Sequence, residues 1–445
     1  MSRKRTNFIC SDCQTPQPRW YGRCPACGSW NTLHPIEEFG EQSAANSPPS
    51  LIPLREVTAG SHPRRLAPHA ELNRVLGGGF VAGGTVLIAG DPGIGKSTLA
   101  LQTAAGFGNV LYVCGEESPS QLKLRAERLG LADAALHLID DTRADAIEPI
   151  LRSTPPEFVV VDSVQTLNFS QSLRATGFLG SVSRIRETSS LLIQAAKAAD
   201  VTLLLIGHVT KGGDVAGPMA LEHLVDTVLV MEQDVSGEFR LLRATKNRFG
   251  PTDMVGLFRM TESGLEDVSN PSEILLPRDR RAVPGAAVTA SLEGKRPLLV
   301  ELQALTVKTT YGMPKRVSTG IDPNRLSMLL AVLERKAGLS FSQHDVYLNS
   351  AGGFRLRETA TDLGVAAATA SSLRNLAVPP DTLFCGEISL SGEIRPVSRL
   401  GTRLAEAAGL GFRRAVVPYQ PLSEEPEIAI HPVRNIEDLL CRLPS

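Results

Sequence analysis

The chain has 445 residues, with 46 Lys and Arg against 47 Asp and Glu, and its formal net charge of −1 gives no global basic field to attract nucleic acid. Apolar residues make up 42%, enough for sizeable cores in two or three domains, and 39 Gly and 30 Pro fit a loop-rich α/β protein. No apolar run approaches the roughly 18 residues of a membrane span, and the basic start MSRKRTNFIC lacks the apolar stretch of a signal peptide, so a cytoplasmic chain without membrane contact is expected.

The first element is expected to bind metal, with a redox pair or chance spacing as the alternative readings. CSDCQTPQPRWYGRCPACG holds two C-x-x-C pairs, Cys10 with Cys13 and Cys24 with Cys27. Each pair spans one edge of a tetrahedron, and the loop between brings the pairs together, as in structural Zn2+ sites. So short a segment has no core of its own, and the metal would supply its folding energy. Four thiolates leave no open position for zinc chemistry. Arg3, Lys4, Arg5, Arg19 and Arg23 make the knuckle basic. Trp20 and Tyr21 either stack on bases or on a protein partner, or cover the zinc. Shifts in texture set domains at 1–32 (zinc knuckle), 33–60 (a Pro- and Ser-rich linker), 61–272 and 273–445.

The phosphate-binding element follows. TVLIA reads as a buried strand and STLALQTAA as a helix, and between them GDPGIGKS at 90–97 fits G-x-x-x-x-G-K-[ST] in full. Gly90, Asp91, Pro92, Gly93, Ile94, Gly95, Lys96, Ser97 and Thr98 are therefore the expected ATP or GTP site. Backbone N–H groups and a helix N-terminus would face the phosphates, Lys96 the β- and γ-phosphates, and Ser97 a Mg2+. The strand FVVVD ends in Asp162, the expected second holder of that Mg2+. NVLYVCGEES ends in Glu116 and Glu117, one of which would polarise the attacking water. Its Cys114 reads as a core residue. VTLLLIGH ends in His208, read as a structural histidine or as a sensor of phosphate or DNA. Four strand tips thus deliver polar groups to one edge, where ligands bind in open parallel sheets.

Further along, EFRLLRAT alternates as a strand and runs into KNRFG, so Lys246 and Arg248 stand two apart at its end and point the same way. Taken alone, they leave solvent, DNA phosphate and nucleotide phosphate open as partners. Two segments are candidate DNA loops, NFSQSLRATGFLGSVSRIRE with Arg174, Arg184 and Arg186, and TKGGDVAGP with Lys211. From about residue 275, PGAAVTASLEGKRPLLVELQALT alternates like paired strands. NRLSMLLAVLERKAG has helical apolar spacing, and FCGEISLSGEIRPVSRLGTRLAEAAGLGF reads as a hairpin followed by a helix. Lys308, Lys315 and Arg316 are further candidate DNA contacts there.

GDPGIGKST, YVCGEES, VVVDSVQT, GPMALEHLVDTVL and KNRFGP, in this order, resemble the RadA (Sms) family of bacterial DNA-repair proteins, RecA-like and DnaB-related ATPases, over nearly the whole chain. The resemblance implies a RecA-like α/β P-loop core with an N-terminal zinc knuckle and a C-terminal α+β domain similar to the Lon protease. It implies Glu116 as catalytic glutamate and Asp162 as Walker B carboxylate. Lys246 and Arg248 would reach ATP bound by the neighbouring subunit, where charge grows on the phosphoryl oxygens. RETATDLG and GEISLSGEIRPVSRLGTRLAEA match the serine- and lysine-bearing stretches of Lon, but Ala360 and Gly401 stand in the dyad's places, so no peptidase activity is expected. LRETA, around 355–361, departs from a more usual acidic and proline-bearing run, within that inert site. The implied function is ATP-driven branch migration or helicase action in recombinational repair. It would act on single-stranded and branched DNA, with the RecA recombinase, as a hexameric ring that uses ATP, Mg2+ and Zn2+. Two readings from other classes remain: an ATP-dependent protease, opposed by Ala360 and Gly401, and a KaiC-like nucleotide-gated switch, opposed by the basic knuckle.

Overall fold

Short antiparallel strands, Phe8–Cys10, Pro16–Gln17 and Leu33–Pro35, frame the cysteine knuckle in a computed structural model that describes residues 8–10, 15–17, 19–35, 53, 55, 63–170, 181–208, 219–234, 237–277, 279–310 and 312–443. The knuckle belongs to one unit, Met1–Ser61, and the rest of the chain, His62–Ser445, forms a second. Cys13, Arg174, Lys211 and most of the linker lie outside the described residues. No helix among the described residues is long and apolar enough to cross a membrane.

The larger unit is built on a nine-stranded sheet: β1 Thr85–Gly90, β2 Val110–Cys114, β3 Leu136–Ile139, β4 Phe158–Asp162, β5 Thr202–His208, β6 Thr227–Gln233, β7 Phe239–Asn247, β8 Val255–Thr261 and β9 Gly264–Asp267. Their order is β9-β8-β7-β6-β1-β5-β4-β2-β3. β1 to β6 pair in parallel, and β7, β8 and β9 add an antiparallel wing. Parallel strands are covered on both faces, which is why FVVVD and TLLLI are almost wholly apolar. Phe158 and Val160 face one core, while Val159 and Val161 face the other, against helix Val182–Ala198.

The same period of two lets the wing join two domains. Leu242, Ala244 and Phe258 face the nucleotide-binding core. Phe239, Leu241, Val255 and Leu257 share a core with the C-terminal domain. That domain is a seven-stranded sheet of β10 Ala286–Glu293, β11 Arg296–Lys308, β12 Arg316–Thr319, β13 His344–Ser350, β14 Thr382–Phe384, β15 Arg414–Pro418 and β16 Ala429–Val433. The strands run β12-β13-β11-β10-β14-β15-β16, packed against helices Pro323–Ala337 and Asp362–Arg374. The paired strands, the helix and the hairpin with its following helix all occur where the sequence patterns place them.

A buried ion pair ties the two domains. Glu71, on helix Ala70–Leu76, accepts at Oε2 from Leu257 N at 3.0 Å and from Arg296 Nη1 at 2.6 Å, while Arg74 Nε sits 3.2 Å from its other oxygen. Arg296 also donates to the carbonyls of Val268 and Ser269. Arg296→Met is expected to destabilise the chain by about 3 kcal/mol, since Glu71 stays buried with one partner fewer. Adding Glu71→Gln is expected to recover part of that loss. Urea unfolding followed by circular dichroism reads both, and a double variant weaker than the sum of the singles would discount the pair.

Candidate active site

The strand register assembles the site. His208 pairs with Gly90, Ile206 with Asp162, and Asp162 with Cys114, so the ends of β1, β5, β4 and β2 lie side by side. The loop after β1 turns at Gly93 (φ 76°) and Gly95 (φ 115°), backbone that side chains with a Cβ rarely adopt, and enters helix Lys96–Ala104. At the end of β2, Gly115 N and Glu116 N donate to Asp162 O at 2.7 and 3.3 Å. A Cβ on Gly115 would lie 2.0 Å from Thr166 Oγ1, so only glycine lets the chain turn there and aim Glu116 into the site.

Lys96 is buried at 3% exposure. Its Nζ donates to the carbonyls of Gly90 and Asp91 at 2.9 Å each and lies 3.1 Å from His208 Nδ1. The other ring nitrogen, Nε2, lies 2.7 Å from Glu116 Oε1, which also accepts from Ser163 Oγ at 2.5 Å. With a neutral imidazole, Lys96 donates to Nδ1 and Nε2–H donates to Glu116. Burial holds the Lys96 ammonium below its usual range, and nearby Glu116, Asp162 and Asp91 offset only part of that. Burial pushes the Glu116 carboxyl up, but the hydrogen bonds from Ser163 and His208, with the nearby charge of Lys96, outweigh it and leave it below the usual value. Glu117 turns away into an ion pair with Arg125.

Asp162 is raised by burial, against hydrogen bonds from Ser97 and Tyr112. Tyr112 Oη donates to Oδ2 at 2.9 Å, while Oδ1 is buried without a hydrogen-bond partner among the described residues. A buried carboxylate oxygen left over beside a serine hydroxyl is the oxygen-only donor set that suits Mg2+. Sequence reading missed Tyr112 and Ser163, although Ser163 directly follows Asp162 and Tyr112 shares β2 with Cys114.

KNRFG lies at the far edge of the sheet. Asn247 pairs with Thr227, which pairs with Val86, whereas the phosphate loop leaves from Gly90 at the other end of β1. Four strand residues, about 13 Å, separate the two ends before the loop begins. Lys246 Nζ donates to the carbonyls of Glu222 and Val225 at 2.6 and 2.8 Å. Arg248 Nη1 sits 3.2 Å from Asp226 Oδ1, with its side chain 56% exposed. Asp226 is a further residue that the sequence reading passed over. It accepts from Thr85 N, Thr85 Oγ1 and Lys197. Burial raises its carboxyl, but the bonds from Thr85 and Lys197 outweigh that and hold it below its usual range.

Three DNA candidates change character. Arg184 and Arg186 stand on helix Val182–Ala198 instead of a loop, because Ile185, Leu192, Ile193 and Ala196 give that stretch a buried face. Arg184 is half-buried there and Arg186 exposed. Arg316 is half-buried, and its guanidinium donates to the carbonyls of Phe341, His344 and Lys315. In the inert dyad region Ala360 is buried, and nearby Arg403, also buried, is held by Glu358 and by the carbonyl of Ala290 at 2.6 Å. Gly401 opens helix Leu400–Gly409, on the solvent side.

In the knuckle, the sulfurs of Cys10, Cys24 and Cys27 lie within 4.8 Å of one another, and those of Cys10 and Cys27 are 3.6 Å apart. A tetrahedron of thiolates about 2.3 Å from Zn2+ has edges of about 3.8 Å, so these cysteines fit that ion. Tyr21 packs against this small core, whereas Trp20 is exposed, which splits the two aromatics between covering the metal and facing solvent.

A parallel sheet with a phosphate loop, a buried lysine and two carboxylates at adjacent strand tips defines a P-loop ATPase of RecA-like fold. Residues 53–214 match the AAA domain family, 8–35 the Rubredoxin metal binding domain, and 323–421 the Subunit ChlI of Mg-chelatase, which corresponds to the Lon-like part. The chain is 46% identical over 432 residues to the DNA repair protein RadA of Bacillus subtilis, covering 94% of this chain and 93% of that protein. It is 45% identical over 437 residues to the DNA repair protein RadA of Brucella abortus, covering 94% and 92%. A crystal structure of the RadB recombinase matches 45% of this chain and 98% of its own at 27% identity, with a TM-score of 0.36. The chain belongs to the RadA family of DNA-repair proteins.

Asp162→Asn is expected to leave the melting temperature of the nucleotide-free protein unchanged or higher, because the variant removes a charge that burial disfavours and keeps an acceptor for Tyr112. ATP hydrolysis is expected to fall by about 100-fold or more. A melting temperature well below the parent's would show that Asp162 is structural instead.

Proposed function

We propose that this chain is a DNA-driven ATPase motor that works as a ring of copies, each completing its neighbour's active site. The carrying observation is the position of Lys246 and Arg248 at the edge of the sheet opposite their own phosphate loop. From there they stand away from the phosphate loop of their own chain, which supports a role toward a nucleotide bound by another copy. Arg248 is exposed and held by one carboxylate, Asp226, so it can swing outward without breaking a core contact. Within the site, Lys96 binds the β- and γ-phosphates and Glu116 orients the attacking water, its charge kept by Ser163 and His208. Ser97 and Asp162 would hold Mg2+, which when bound neutralises phosphate charge. The family membership supports action on single-stranded and branched DNA during recombinational repair, as branch migration or unwinding alongside RecA, by a cytoplasmic hexamer. Ala360 and Gly401 supply neither nucleophile nor base, which argues against peptide cleavage.

ATP hydrolysis measured with and without single-stranded DNA tests the motor. The rate is expected to rise with DNA and to vanish in Lys96→Ala. A rate indifferent to DNA would leave a nucleotide-gated switch. Action between copies has its own test. Arg248→Ala is expected to lower the rate by about 1,000-fold. Mixing it with equally inactive Lys96→Ala is expected to restore measurable hydrolysis, since the second variant lends its arginine to the first one's intact site. A mixture as dead as its parts would refute sharing across copies.

A further inference from the structure

The zinc knuckle displays aromatic surface that its own packing does not need. Trp20 and Trp30 are 55% and 69% exposed. Both reach over one point of the chain: a Cβ built on Gly22 would lie 3.7 Å from Trp20 Cη2 and 3.8 Å from Trp30 Cζ3. The hairpin that carries them is fixed by Asn31 N donating to Gly22 O at 2.9 Å, Cys24 N donating to Ser29 O at 2.8 Å, and a bridge between Arg23 and Trp30. Arg23 donates through Nε to Gly28 O at 2.7 Å, which sets its guanidinium 5.8 Å over the Trp30 ring. Arg19 lies 5.0 Å over Tyr21 in the same way. By sequence, residues 1–35 hold five Lys and Arg (Arg3, Lys4, Arg5, Arg19 and Arg23) against one acid, Asp12, so this segment stays positive even after the excess charge of four thiolates over Zn2+ is counted.

We infer that this face is a stacking platform for unpaired bases of single-stranded nucleic acid. Trp20 and Trp30 take base faces, and Arg19 and Arg23 lie against the phosphates between them. In a duplex the base faces are already stacked on each other, so an exposed indole selects single strands. A protein partner would also meet an aromatic patch, but the arginines laid over the rings and the local positive charge match a polyanion carrying flat bases. The inference rests on the reading that the chain acts on single-stranded DNA, and it adds a second contact surface outside the ATPase unit.

The two tryptophans are the only ones in the chain, so the fluorescence of the full-length protein reports on this face alone. Titration with an oligodeoxythymidylate is expected to quench that emission to saturation, whereas an abasic oligomer of equal length gives little change. Trp20→Ala, followed through Trp30, is expected to raise the midpoint about 5- to 100-fold, and Trp20→Phe to restore most of the affinity. Zinc content, read by chelator colour after thiol modification, shows that the variants keep the knuckle folded. Absent quenching, equal quenching by the abasic strand, or an unchanged midpoint in Trp20→Ala overturns the inference and leaves the face to a protein partner. DNA-stimulated ATP hydrolysis in the same preparation separates the two failures. If hydrolysis responds and fluorescence does not, only the platform falls. If neither responds, the DNA motor falls with it.

Discussion

A buried ammonium has to be compensated, and the active site is organised by how Lys96 meets that demand. It donates to two carbonyls of its own loop and to the imidazole of His208, which in turn bonds Glu116. The cation and the carboxylate are therefore positioned relative to each other through one ring. Hydrogen bonds from Ser163 and His208 keep the Glu116 carboxyl below its usual range, while burial holds the Lys96 ammonium below its own.

The antiparallel wing explains how a nucleotide-binding core and a protease-like domain share one unit. Strands β7 and β8 carry apolar side chains on both faces, one toward the ATPase core and one toward the C-terminal domain. The same β7 ends in Lys246. A displacement of the C-terminal domain would therefore act directly on the strand that presents the KNRFG cations, with Arg243–Glu293 and Glu71–Arg296 as polar ties across the junction. Arg403 buried on Glu358 now occupies the neighbourhood of the former catalytic serine's place.

Much of this was legible in the residues. Period-two alternation marked EFRLLRAT, and continuous apolar runs marked the parallel strands. The spacing of glycines, Lys96 and Ser97 defined the phosphate loop without any structure. Arg184 and Arg186 were misread because basic residues and glycines upstream suggested a loop, while the helical spacing of Ile185, Leu192 and Ile193 begins only among them. Arg316 looked like a surface cation, since no local pattern reveals that carbonyls of Phe341 and His344 converge on it.

The sequence alone determined the chemistry classes: a phosphate loop, a cysteine metal site and carboxylates at strand tips. These depend on residue identity and short-range spacing, which the chain states directly. Tertiary structure alone decided which groups touch. His208 joins Lys96 to Glu116 across 112 and 92 residues, Tyr112 orients Asp162 from the neighbouring strand, and KNRFG falls at the edge away from its own phosphate loop. Strand order and register set those relations, and both are fixed by packing among residues far apart in the chain, which no local pattern encodes.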